Sequence, residues 1–209
     1  MKANDFWTNF RDEIERNRTT LESVWDSRSD ERGQGTPFTD EMKDVIDAAV
    51  KRTCPHLATQ REYYRIDLIG WLQKNTEKKE RYAIEDGIAG YHLNKHAWDF
   101  DIAVEHENDP SDWSDEVVKL AYICCDLRVV IGYFPYVKQG KEAMQQNYLT
   151  AVADTLQTLG CKDNMAHGTF MVILGDVLRG EAEDFKKLSY TPYIYRSDRN
   201  RFEPLTEDD

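Results

Sequence analysis

The sequence predicts an α/β domain, a mixed central β-sheet flanked by helices on both faces. Apolar residues recur at helical spacing over residues 4–26 and again after Thr39. Short runs rich in β-branched and aromatic residues, "REYYRIDLIGWL" (61–72), "LRVVIGYF" (127–134) and "GTFMVILGD" (168–176), read as strands. The last two are apolar enough to be buried on both faces. Helices come first, then strands, then helix and strand in alternation, which is the order of a layered sheet. With no internal repeat or low-complexity linker, the 209 residues read as one domain (1–209), with N-terminal helices at 1–55 and the core sheet and helices at 56–205.

Taken in order, Phe6, Phe10, Ile14, Leu21 and Trp25 form the stripe of the first helix, and "SRSDERGQGTP" follows as a loop. Thr39 is placed to cap a second helix, with Asp40 and Glu41 favoured in its first turn by the helix dipole. Met42, Val45, Ile46, Ala49 and Val50 make its buried stripe, and Pro55 lies beyond its end. In the strand at 61–72, alternation puts Tyr63, Arg65, Asp67, Ile69 and Trp71 on one face. The stretch "QKNTEKKERYAIEDGIAGYHLNKHA" carries no clear period. "WDFDIAVEHEND" (98–109) reads as a strand with Phe100, Ile102 and Val104 on one face and Asp99, Asp101, Ala103, Glu105 and Glu107 on the other. After the turn "NDPSDW", Ser114 can cap a helix over about 115–125. "GKEAMQQNYLTAVADTLQTLG" is a helix closed by Gly160, and "YTPYIYRSDRNRFEPL" is a late strand or hairpin before the acidic tail "TEDD".

Charge narrows the function classes. Lys+Arg is 27 and Asp+Glu 39, a formal net charge of -12, which argues against a broad basic surface coating nucleic acid. A nuclease stays open, because bound divalent cations and a local basic cleft override a global charge. No apolar run is long enough to span a membrane, and "MKANDFWTNFRDEIERN" lacks the apolar core of a signal peptide. Cys54, Cys124, Cys125 and Cys161 form no Cys-x-x-Cys pair and read as reduced thiols of a cytoplasmic protein.

The acids of the 98–109 strand need an explanation, since like charges at this spacing repel. Asp67, inside "IDLIGW", is a carboxylate in apolar surroundings and needs a partner. If the two strands are neighbours, Asp67 stands beside Glu105 and Glu107, which lie two positions and roughly 6.5–7 Å apart along their strand. Three converging carboxylates make an oxygen-rich pocket suited to Mg²⁺ or Mn²⁺, with waters and substrate phosphate completing the shell.

These segments carry a resemblance. "RIDLIGW" followed by "WDFDIAVEHEND" resembles the metal site of the restriction-endonuclease-like superfamily, the PD-(D/E)XK nucleases. Members place an Asp on one strand and a Glu-x-Lys or Glu-x-Glu on the next. Asp67 matches the metal-binding Asp and Glu105 the acid of the second half-motif. Glu107 stands where the family usually has Lys, which makes this the Glu-x-Glu variant. "SDEVVKLAYI" and "LRVVIGYF" resemble the helix and buried strand that follow the site in that fold. The likeness spans residues 40–175; the leading Pro of the motif is replaced by Ile66.

The resemblance implies a restriction-endonuclease-like fold and Mg²⁺-dependent hydrolysis of nucleic-acid phosphodiester bonds. Asp67, Glu105 and Glu107 would be the metal ligands, with Glu107 also orienting or deprotonating the attacking water. Lys119 is either a relocated catalytic cation or a solvated helix lysine. Nucleic acid is then the substrate, and a homodimer stays open. The alternative is a non-catalytic module on the same scaffold, binding a protein partner through its acidic surface.

Other features weigh less. His92 and His96 share a helical face in "HLNKH" but lack a third ligand, and packing or surface roles outweigh a zinc site. His106 reads as a core histidine. Trp98 and Trp113 either stack on bases or pack the sheet edge, and Arg196, Arg199 and Arg201 either meet phosphates or face acids elsewhere.

Overall fold

A computed structural model describes residues 1–25, 37–71, 100–109, 112–134, 141–159, 167–176 and 189–209. His92, His96, Trp98, Asp99, Gly160 and Cys161 lie outside the described residues. Among the described residues the elements are α1 (Ala3–Arg16), α2 (Arg18–Val24), α3 (Pro37–Thr53), β1 (Ala58–Tyr63), β2 (Ile66–Trp71) and β3 (Phe100–His106). They continue with α4 (Trp113–Ala121), β4 (Cys125–Phe134), α5 (Lys141–Thr158), β5 (Thr169–Asp176), β6 (Tyr190–Arg196) and β7 (Arg201–Pro204). No described helix is long and apolar enough to cross a membrane.

The seven strands form one mixed sheet in sequence order, β1-β2-β3-β4-β5-β6-β7. β1, β2 and β3 are antiparallel neighbours; β3, β4 and β5 run parallel; β5, β6 and β7 are antiparallel again. Two cores sandwich the sheet. Phe6, Phe10, Val45 and Ile46 of α1 and α3 pack with Ile102, Val104, Val129 and Ile131. On the opposite face Val117 and Leu120 of α4 and Leu149 and Leu156 of α5 pack with Ala103, Val130 and Val172. The alternating membership of β3, β4 and β5 in the two cores is the period of two that the sequence showed.

Several boundaries differ from the sequence expectation, each for a local reason. The first helix breaks at Asn17, whose side-chain Nδ2 and backbone N both donate to Glu13 O, at 2.9 and 3.0 Å. An Asn side chain competing for a helix carbonyl ends the turn there. α3 begins with Pro37 rather than at a Thr39 cap; the Thr39 hydroxyl accepts from Asn108 Nδ2 at 2.6 Å. α4 starts at Trp113, with Asp112 rather than Ser114 preceding it and no side-chain cap bond.

The largest correction concerns residues 58–71. The segment read as one strand is a hairpin, β1 and β2, with Tyr63 paired to Ile66 and only Tyr64 and Arg65 between them. Both have positive φ, 47° and 66°. That is the signature of a type I′ turn, which normally takes Asn-Gly. An L-residue with a bulky side chain costs about 1–2 kcal/mol at each such position. Arg65 therefore does not share a strand face with Asp67.

Candidate active site

β2 and β3 are antiparallel, so the start of β2 lies at the end of β3. Leu68 pairs with Val104 and Ile69 with Ala103. Asp67 and Glu105 meet at the next step. The backbone N–H of Asp67 points at Glu105 Oε2 at 3.4 Å, and the N–H of His106 donates to Asp67 Oδ2 at 2.7 Å. Each acid is thus steered by the other's strand. This end of the sheet is also the C-terminal end of the parallel pair β3–β4, where open α/β sheets hold ligands.

Glu105 belongs to the face toward α4 and is 2% exposed. Lys119 Nζ of α4 pairs with Glu105 Oε1 at 2.6 Å. The same ammonium pairs with Glu116 and donates to the carbonyl of Arg65 at 2.8 Å. Burial pushes the Glu105 carboxyl up to about 9; Lys119 opposes this, while Asp67 and Glu116 add to it. Burial also pulls Lys119 down, but Glu105 and Glu116 outweigh it and hold the ammonium above its ordinary value.

Asp67 takes its cation from the other layer. Lys43 of α3 reaches Asp67 Oδ1 at 3.3 Å and also pairs with Glu62. Burial lowers the Lys43 ammonium, but the two carboxylates prevail and hold it above its usual value. Lys43 carries no local sequence signal; it flanks the Met42, Val45 and Ile46 stripe and meets Asp67 only through the packing of α3 on β2. Asp67 and Glu105 meet at the sheet end, each acid drawing its lysine from a different layer.

Glu107 lies just past β3 and turns toward the start of α4. Its Oε1 accepts from Asp109 N at 2.8 Å. Burial raises its carboxyl; the Asp109 N–H opposes this, and Glu116, Asp112 and Asp109 reinforce it. Glu116, which sequence reasoning passed over, stands between Glu105 and Glu107 in this charge cluster. Among the described residues, no three His, Cys, Asp or Glu side chains are gathered as a ready-made ligand set.

Behind the acids, His106 faces the α1–α3 core. Its Nε2 meets Tyr133 Oη at 3.0 Å, Tyr133 Oη meets Tyr190 Oη at 3.1 Å, and Tyr190 Oη donates to Met42 Sδ at 3.9 Å. Sulfur only accepts, so the protons run outward along the chain, which makes His106 the Nε2–H tautomer. His106 is a core histidine, bonded through Nε2, with its Nδ1 buried and without a hydrogen-bond partner among the described residues.

Other sequence candidates stand apart from the site. Trp113 is wholly buried against β4 and cannot stack on a base. Arg196, Arg199 and Arg201 face acids, pairing with Asp209, Asp198 and Glu203. Cys54, Cys124 and Cys125 are free thiols.

The chain matches no family model, no curated protein and no solved structure.

Proposed function

We propose that the protein is a Mg²⁺- or Mn²⁺-dependent nuclease of restriction-endonuclease-like fold, hydrolysing nucleic-acid phosphodiester bonds at the Asp67–Glu105 end of the sheet. The observation that carries this reading is Lys119 Nζ at 2.6 Å from a buried Glu105 that also contacts Asp67. Two acids on adjacent strands with a lysine beside the second supply the acid, acid and cation of the resembled motif, the lysine coming from α4 instead of β3. The succession α3, β1, β2, β3, α4, β4, with Asp67 on β2 and Glu105 on β3, supports the same reading.

The donor set suits a hard divalent cation. Glu105 is buried, and its carboxyl is driven up to about 9 despite the adjacent ammonium. Positive charge in this pocket thus falls short of what the carboxylate needs. Mg²⁺ is commonly held by one or two carboxylates plus waters and substrate phosphate rather than by an all-protein cage. Asp67 and Glu105 would be those two ligands. When bound, the ion supplies an acidified water and offsets charge on the phosphate. Lys119 brings a fixed positive charge to the developing phosphorane oxygens. Glu107, whose carboxyl burial raises, would take the proton of the attacking water.

Calorimetric titration with Mn²⁺, run on wild type, Asp67→Ala and Glu105→Ala, tests the ion site. Heat in wild type that both variants lose supports it; identical negligible heats remove it. Cleavage of labelled single- and double-stranded DNA and RNA with either metal tests the activity. One observation favours the second reading, a non-catalytic acidic module for a protein partner: each acid already has a lysine beside it, Lys43 at Asp67 and Lys119 at Glu105. That reading predicts no cleavage with any metal and intact cellular function in Glu107→Gln.

A further inference from the structure

The turn that joins β1 to β2 is built from the wrong residues for its backbone. Tyr64 and Arg65 occupy the two positive-φ positions where Asn-Gly folds without strain. Strain of this kind persists where a side chain is needed in place and clusters at functional sites. Tyr64 is 80% exposed, the most exposed large apolar side chain among the described residues. The Tyr63 ring props it edge-on at 4.7 Å between centroids. The turn also belongs to the site, because Lys119 donates to the Arg65 carbonyl at 2.8 Å and Asp67 follows two residues later. Arg65 is exposed and has no carboxylate partner among the described residues.

We propose that the Tyr64–Arg65 turn holds an unpaired nucleotide beside the site, Tyr64 stacking on the base and Arg65 meeting its phosphate, so that the substrate is single-stranded nucleic acid. The inference rests on the nuclease reading for the class of ligand. Charge favours a single strand over a duplex. The site is rimmed by Glu62 beside Lys43, Glu116 beside Lys119 and Asp112 near Glu107, on a chain of net charge -12. A duplex brings one phosphate charge per about 1.7 Å, twice the linear density of either strand, against that acidic rim. Stacking is indifferent to charge, and base–aromatic contacts tolerate any sequence.

The test uses the full chain on a Glu105→Gln background, so that nothing is cleaved, and a fluorescein-labelled 12-nucleotide DNA, single-stranded or annealed to its complement. Anisotropy is expected to show tighter binding of the single strand. Replacing the turn by its ideal residues, Tyr64→Asn with Arg65→Gly, is expected to weaken that binding about 10- to 100-fold. The same change raises the thermal midpoint by about 2–6 °C, because the strain is relieved. Tyr64→Phe keeps the ring and stays within about 2-fold. Unchanged affinity in the Asn-Gly variant, a duplex bound as well as the single strand, no binding of either, or a lowered midpoint each overturns the proposal. Cleavage is assayed separately with Glu105 intact. If that protein cleaves but the turn variant binds unchanged, the turn proposal fails and the nuclease reading stands. If it cleaves nothing with Mg²⁺ or Mn²⁺ yet binds single strands through Tyr64, the nuclease reading fails and the turn proposal stands.

Discussion

Lys119 Nζ lies 2.6 Å from Oε1 of Glu105, and the two side chains are 34% and 3% exposed. A half-open lysine thus covers an almost fully closed acid. Lys119→Met removes the α4 ammonium that contacts Glu105. Under the nuclease reading, the turnover rate falls about 10²- to 10³-fold with a much smaller change in KM, since the charge is needed most in the transition state. Mn²⁺ titration of the same variant is expected to show binding as tight as wild type or tighter, because a competing cation is gone. A loss of KM alone would assign Lys119 to substrate binding instead.

Two buried groups shape stability against pH with opposite signs. The Glu105 carboxyl rises from 4.5 to about 9, chiefly through burial. The folded state therefore holds a proton that the unfolded chain releases, and stability is lost as pH rises from about 4.5 through about 9. His106 falls from 6.5 to about 4, again chiefly through burial. Its contribution is present above 6.5 and is lost as pH falls toward about 4, a limb worth on the order of 3 kcal/mol. Between about pH 4.5 and 6.5 the two slopes oppose each other, so thermal midpoints are expected to stay nearly level there and to decline from about 6.5 toward 9. Glu105→Gln removes the alkaline decline and uncovers the His106 loss below about pH 6.5, and His106→Phe lets the decline begin near pH 4.5. If neither variant changes its limb, the buried groups do not titrate as described.

The same Glu105 proton couples to the ion. A divalent cation ligated by Glu105 displaces that proton, so Mn²⁺ binding at pH 7 is expected to release up to about one proton per ion. Titration in Tris and in PIPES, whose ionisation heats differ, reads the number directly. Release falls toward zero in Glu105→Gln and persists in Glu107→Gln. Release that is instead abolished by Glu107→Gln would move the ligand role to that residue.

Gly132 on β4 bears on the site from below. A Cβ there would lie 2.6 Å from Trp113 Cβ at the start of α4. Gly132→Ala must push α4 away, at about 1–3 kcal/mol for overpacking a closed core. Lys119 rides on α4, so cleavage is expected to fall more steeply than the population of folded protein. Urea unfolding compared with specific activity checks this; activity that tracks the folded fraction would mean α4 is displaced without disturbing Lys119.

Tyr133 carries two hydrogen bonds of the chain from His106 to Met42. Tyr133→Phe leaves the His106 Nε2–H and the Tyr190 hydroxyl to find other partners in a closed core. A loss of about 1–3 kcal/mol is expected by urea unfolding, with Mn²⁺ affinity kept, since Asp67 is held by the His106 backbone N–H and not its ring. Weaker Mn²⁺ binding would show that the ring also positions Asp67.

Much of this was open to reading from the chain itself. The period of two in Ile102 to His106 and in Leu127 to Tyr133 declares which residues face which layer, because pleated strands leave no other option. The helical stripes of α1 and α3 and the two buried parallel strands follow from local spacing, and Asp67 and Glu105 announce themselves as acids in apolar company. Tertiary packing decided the rest. The hairpin at Tyr64–Arg65 was invisible because turn recognition relies on Gly and Asn, and this turn uses neither. Lys43 carries no local signal, and Lys119 reads equally as a relocated cation or a solvated helix lysine; only the packing of α3 and α4 on opposite faces brings each ammonium to its acid. Sequence spacing orders side chains within an element, whereas which elements meet, and so which charges neutralise each other, depends on burial across the whole sheet.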